Sequence, residues 1–369
     1  MFELRPLKLC ISFFLLVSFA GVLPAQNESS LGISGDYGFL FLHSQELAPI
    51  GQSYPVAINI DYSRWLLKKK HWDNCRCFPR VGISTGFHYF DNPSVLGVGV
   101  PLYGFLQPWY PLSERWFFNL HGGIGFAWLS QPYDSIENPY NLSYSLPLSI
   151  FANLGIGSAF AINDQWRLNL QVRYNHTSNG GFREPNKGLN YPSMHLGLDY
   201  SWRPLKLKPA NVKTFNPAEA RRSLRYHLFA AGKAGAKVGE GVNEQDVTYL
   251  VYGTELRYSQ QFARTSAFTA GLEWVSNGAY AERIERQGLD RDHRQFSLLI
   301  GHEFLLGNFV LTQMAGIYLY KDYGEGPDWY QRYGLLWYPL KRWSIGSNIK
   351  VHGHVAEFID LRIGYRYSF

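Results

Sequence analysis

The last eleven residues of the chain constrain its fold more tightly than any other stretch. Ile359, Leu361, Ile363, Tyr365, Tyr367 and Phe369 share one face of an extended strand, and Asp360, Arg362, Gly364, Arg366 and Ser368 share the other. Strict alternation argues for a strand with one apolar and one polar side. Three aromatics at the very end, all on the apolar side, are unusual for a soluble sandwich and suit a strand whose outer face meets lipid. The chain is 17% aromatic but only 17% charged, against roughly 25% charged residues in soluble domains. Beyond the N-terminal leader no segment approaches 18 consecutive apolar residues, which excludes spanning helices. The membrane architecture left is the closed antiparallel β-barrel.

Residues 1–25 read as a secretory signal peptide. Arg5 and Lys8 are its positive region, Leu9 to Leu23 its apolar core, and Leu23-Pro24-Ala25 the small-residue site, with cleavage near Ala25. Cys10 would leave with it. The remaining Cys75 and Cys77 are too few for a metal site, and their close spacing disfavours a disulfide, so they read as incidental loop thiols. The net charge of +6 suits anionic lipid head groups; no nucleic-acid partner, metal or cofactor is expected.

Sixteen alternating segments follow, separated by turn residues. The first eight lie near 33–44, 54–66, 80–90, 97–107, 115–128, 145–161, 165–178 and 190–203. The second eight lie near 224–238, 247–260, 264–277, 294–305, 308–321, 328–338, 341–352 and 355–369. Between them the pattern stops. Residues 204–222 read as a linker holding a short capped helix over Asn216-Pro217 to Arg221-Arg222. The halves look like copies. Asp164-Gln165-Trp166 and Lys341-Arg342-Trp343 each open a seventh segment, and Leu196 to Trp202 resembles Leu361 to Phe369. The expected organisation is therefore a leader, an eight-stranded barrel over 26–203, the linker 204–222, and a second, degenerate eight-stranded barrel over 223–369. One sixteen-stranded barrel fits the count as well, but a continuous barrel would need only a short turn at the linker.

On the seventh segment Arg167, Asn169, Gln171, Arg173 and Asn175 form the luminal face. Leu168, Leu170, Val172, Tyr174, His176 and Ser178 therefore point outward. A His and a Ser on a lipid-facing stripe have two readings. They sit at the head-group level, where polar groups are tolerated, or they form a His-activated serine. In the second half, alignment on Trp343 puts Gly353 and Val355 opposite them, so that copy lacks the pair. His352 and His354 there face the lumen. Gly82-Ile83-Ser84-Thr85-Gly86 matches a nucleophile elbow by letter only, because it lies within a strand rather than at a strand-to-helix turn.

His176-Thr177-Ser178-Asn179-Gly180-Gly181, followed by Pro185-Asn186-Lys187-Gly188-Leu189-Asn190, resembles the His-x-Ser-Asn and Pro-Asn-x-Gly signature of the lipid A 3-O-deacylases (PagL-type). The resemblance spans about 30–203 and is specific only over 176–190. It implies an eight-stranded outer-membrane barrel that hydrolyses an ester-linked acyl chain of lipopolysaccharide in the outer leaflet. It implies His176 as general base, Ser178 as nucleophile, Asn179 and Gly180 as oxyanion contributors, and Pro185, Asn186 and Gly188 as loop-shaping residues. The family's acidic triad member falls at Asn190, which can fix the imidazole tautomer but cannot stabilise imidazolium by charge. That departure implies a weaker enzyme unless Glu184 substitutes. The alternative is a non-enzymatic barrel, a small channel or surface-recognition protein with a relic site. The strand ending at Phe369 is the expected handle for the outer-membrane assembly machinery.

Overall fold

The computed structural model describes residues 29–209, 215–217, 220–235, 247–324, 326–353 and 355–369. The expected leader and His354 lie outside these residues. No described helix is long and apolar enough to cross a membrane; the long elements are strands.

All sixteen expected strands form. The first eight are β1 (Ser29–Gly38), β2 (Val56–Trp65), β3 (Phe78–Tyr89), β4 (Val98–Pro111), β5 (Trp116–Leu129), β6 (Leu148–Ala161), β7 (Trp166–Ser178) and β8 (Leu189–Ser201). They pair antiparallel in sequence order, and β8 closes on β1 with Ser201 opposite Ser30 and Leu196 opposite Gly35. The second eight are β9 (Arg222–Ala234), β10 (Thr248–Ala263), β11 (Ser266–Asn277), β12 (Arg294–Leu306), β13 (Phe309–Lys321), β14 (Trp329–Trp337), β15 (Trp343–His352) and β16 (Val355–Ser368). Here β16 closes on β9, with Leu361 opposite Ala230. Each half is thus a closed barrel, and the single sixteen-stranded alternative is excluded.

Burial follows the parity. Along β7 the odd residues from Arg167 to Asn175 are buried while Leu168, Leu170, Val172 and Tyr174 are exposed on the wall. Small eight-stranded barrels fill their interiors with side chains, and this chain fills them with polar ones. In the first barrel Arg80 pairs with Asp199 at 2.6 Å. In the second, Arg332 meets Asp360 at 2.7 Å and Glu273 at 2.9 Å, while Arg225 meets Glu303 at 2.7 Å. Buried charges persist only when paired, and these networks cross both lumens; at the inner end of the second a cavity remains among Arg225, Ser259 and Tyr338.

Connections at one end are long and at the other mostly short, as outer and inner ends of such barrels are. Between β10 and β11 lie only Arg264 and Thr265, whereas residues 130–147 join β5 to β6. Among the described residues two α-helices are present: α1 (Lys69–Cys75) at the inner end, and α2 (Gly278–Arg286) over the outer mouth of the second barrel. The linker's start seals the inner end of the first barrel. Leu205 and Leu207 are buried against Trp65, Trp72, Trp109 and Phe117, and Arg167 Nη2 donates to Leu205 O at 2.8 Å.

Three expectations need correcting. The first strand ends at Gly38 rather than 44; residues 45–50 form a 3-10 turn whose Leu47 and Ile50 are buried among Phe90, Leu96 and Tyr144. The linker expected to run to Arg222 ends sooner, because Arg222 already opposes Gln260 as the first residue of β9; the helix expected over 216–222 falls partly outside the described residues, at 218–219. Cys75 and Cys77 are not free thiols but a disulfide. Arg76 between them adopts a left-handed conformation at φ 54°, which turns both sulfurs to one side with their Cα atoms 5.1 Å apart, within the range that a disulfide spans.

Candidate functional site

The outward stripe of β7 ends at the outer rim with His176 and Ser178. Their spacing along the strand puts both side chains on one face. His176 Nε2 lies 3.0 Å from Ser178 Oγ, and His176 Nδ1 lies 2.6 Å from Asn190 Oδ1. The second contact follows from register, since β8 sets Asn190 directly opposite His176 and such cross-strand neighbours touch. The outcome is a hydrogen-bonded series Ser178–His176–Asn190 on the outer wall. Ser178 is only 5% exposed, and His176 is half-buried.

The tautomer is set from the far end. Asn190 Nδ2 donates to His43 Nδ1 at 3.3 Å, which turns Asn190 Oδ1 toward the imidazole. An amide oxygen only accepts, so His176 carries its proton on Nδ1 and presents a bare Nε2 to the serine. His43 was missed in the sequence. Its chain reaches the site because the extended segment after β1 continues alongside β8, with Phe41 N donating to Asn190 O at 2.9 Å. Tyr37, Phe39, Phe41 and His43 share one parity, and the three aromatics are exposed. That outward stripe was the available signal.

The loop from 179 to 188 is folded by its own polar side chains. Asn179 Oδ1 accepts from Gly181 N and Phe182 N at 3.0 and 3.1 Å, and its Nδ2 donates to Ser145 Oγ and Arg183 O at 3.0 and 2.6 Å. Its own N–H donates to Asn186 Oδ1 at 2.9 Å. The backbone N–H and side-chain amide of Asn179, expected as an oxyanion contributor, are therefore both engaged in holding the loop. The Gly180 N–H donates to no protein acceptor among the described residues. Glu184 does not approach the imidazole; its carboxylate accepts from Asn186 N at 2.9 Å.

Gly188 has a steric role. It sits at φ 80°, and a Cβ there would stand 3.0 Å from His176 Cε1. Its N–H donates to Ser143 O at 2.8 Å, pinning the loop to the β5–β6 connection. His352 of the second barrel lies apart from this site. As expected it faces the lumen, where its Nε2 is 3.0 Å from Tyr318 OH. Gly82 to Gly86 lie within β3, as expected. Among the described residues no group of three or more His, Cys, Asp or Glu is placed to hold a metal ion.

Comparison with known proteins follows the same division of the chain. No curated protein matches it. Among solved structures, the crystal structure of the outer membrane enzyme PagL is 16% identical, over 45% of this chain and 97% of that one, with a TM-score of 0.34. A triple mutant of the Rhodopseudomonas blastica porin is 10% identical over 92% of this chain and 100% of that one, with a TM-score of 0.20. A deletion mutant of the TodX monoaromatic hydrocarbon channel is 11% identical over 95% and 91%, also at 0.20. The family model for lipid A 3-O-deacylase (PagL) matches residues 65–199, which include His176, Ser178 and Asn190, and the model for the acyloxyacyl hydrolase C-terminal domain matches residues 224–369. With the two matches spanning well over half of its length, this outer-membrane barrel protein belongs to the PagL-type lipid A deacylase and acyloxyacyl hydrolase family.

Proposed function

We propose that the chain is a serine esterase that removes an ester-linked acyl chain from lipid A in the outer leaflet. The observation that carries this reading is the hydrogen-bonded series Ser178–His176–Asn190 on the lipid-facing wall. His176 Nε2 takes the Ser178 proton as Oγ attacks the ester carbonyl, and the resulting imidazolium returns that proton to the leaving alkoxide. Asn190 Oδ1 keeps Nδ1 protonated and the ring in plane with the serine. The Gly180 N–H is the available donor for the oxyanion. Water then repeats the sequence on the acyl-enzyme, releasing the fatty acid. Asn179, Asn186 and Gly188 hold the loop in shape rather than touching the reacting atoms.

The test is mass spectrometry of lipid A from cells expressing the wild-type chain or Ser178→Ala. The wild type alone should shorten lipid A by one acyl chain. Identical spectra from both would leave a barrel with a relic site. The ion pairs that cross both lumens speak against the channel form of that alternative.

A further inference from the structure

The second barrel lacks a His–Ser pair of its own, yet it touches the first at the loop that follows Ser178. Ala234 N, at the outer end of β9, donates to Gly181 O at 3.0 Å, and Thr248 Oγ1, at the start of β10, donates to Phe182 O at 3.2 Å. The Phe182 ring lies over Gly232, where a Cβ would stand 2.5 Å from Cε2. Gly180 packs on the next strand, and a Cβ at 180 would be 2.7 Å from Ile359 Cδ1. Gly180 and Gly181 have φ of 71° and 81°, a conformation that favours glycine, so this close approach is built into the backbone. At the inner end Arg264 Nη1 donates to Asp73 O. The barrels thus stand side by side and touch at both rims.

Between the rims no strand of one barrel packs along a strand of the other among the described residues. β7 descends from Ser178 through Tyr174 and Val172, and β16 descends from Ile359 through Leu361 and Ile363, beside Leu228 of β9. Leu361 is 73% exposed and Val172 52%. Both faces are apolar, both lie at membrane depth, and both begin at the site's rim.

We propose that the second barrel completes the active site. It clamps residues 180–182 beside the nucleophile, and it supplies the far wall of an apolar cleft that receives the acyl chain of the ester substrate. Ile359, the second-barrel side chain packed on Gly180, gates the top of that cleft. This inference rests on the serine-esterase reading and extends it to chain recognition. The occupant is an acyl chain because the wall residues below the rim, Val172, Leu228, Leu361 and Ile363, are apolar and exposed and the stripe of β7 ends at a serine hydroxyl.

The test uses the full chain in detergent–phospholipid micelles with short (C4) and long (C14) acyl esters. Folding is checked by the heat-dependent gel shift of intact barrels. Ile359→Trp should lower the long-to-short ratio of kcat/KM about tenfold, whereas Ile317→Trp on the opposite wall of the second barrel should leave it unchanged. Thr248→Val, which removes one clamp bond, should lower kcat severalfold with little change in KM. Wild-type activity that Ser178→Ala abolishes, combined with an unchanged ratio for Ile359→Trp, would overturn the inference and spare the esterase reading. Equal activity of wild type and Ser178→Ala would overturn both.

Discussion

Asn190→Asp restores the carboxylate that this site lacks, and its effect can be worked from the geometry. His176 Nδ1 donates to a neutral amide oxygen at 2.6 Å. A neutral hydrogen bond contributes about 1 kcal/mol net, and one to a charged partner about 1.5–3 kcal/mol. The difference matters most when the ring becomes imidazolium as Ser178 is deprotonated. A gain of about 1–1.5 kcal/mol in that state corresponds to roughly a five- to tenfold rise in kcat. The substitution also removes the Asn190 Nδ2 donor to His43 Nδ1. His43 then has to donate to the new carboxylate, which a change of tautomer allows. The opposite substitution, Asn190→Leu, leaves a half-buried Nδ1–H without its acceptor. That costs about 1–3 kcal/mol and lets the ring turn, for an expected loss of about tenfold to a hundredfold. Initial rates of fatty-acid release by refolded protein in mixed micelles would measure both. If Asn190→Asp were slower than wild type while properly folded, or Asn190→Leu were fully active, Asn190 would not orient His176 as argued.

Three further outcomes are expected. Gly188→Ala should lower kcat about tenfold with an intact barrel, because its Cβ meets His176 Cε1 and the left-handed conformation costs about 1–2 kcal/mol without glycine; a fully active variant would remove Gly188 from the account. Arg332→Met takes the guanidinium from buried Glu273 in the second lumen, while Asp360 keeps Arg362, and should destabilise that barrel by about 3–5 kcal/mol, seen as gel-shift loss at lower temperature. Thiol titration of the exported protein under denaturing conditions should find no free thiol before reduction and two after, from Cys75 and Cys77.

Most of the fold was legible because the side-chain period of a strand is two and the barrel wall has an apolar and a polar side. The parity that put Arg167 inside put His176 and Ser178 outside, and both hold. What period cannot carry is the register between strands distant in sequence. His43 reaches Asn190 only because β1 closes on β8. Tandem closure is only suggested by the linker in sequence; it is decided by which strand each terminal strand pairs with. The Cys75–Cys77 bond depended on Arg76 entering a left-handed turn, for which an arginine gives no warning. The contact of residues 180–182 with the second barrel is set by how two finished barrels pack, which no local pattern records.

The placement of Ser178 on the outer wall changes what substrate concentration means. A lumen enzyme would sample solutes from bulk water, but this serine meets neighbours diffusing in the plane of the leaflet. Its turnover should follow the mole fraction of substrate within the membrane rather than molarity in the vessel. Adding inert phospholipid at constant total substrate should slow it by dilution in two dimensions. Adding more vesicles of the same composition, at saturating lipid, should not.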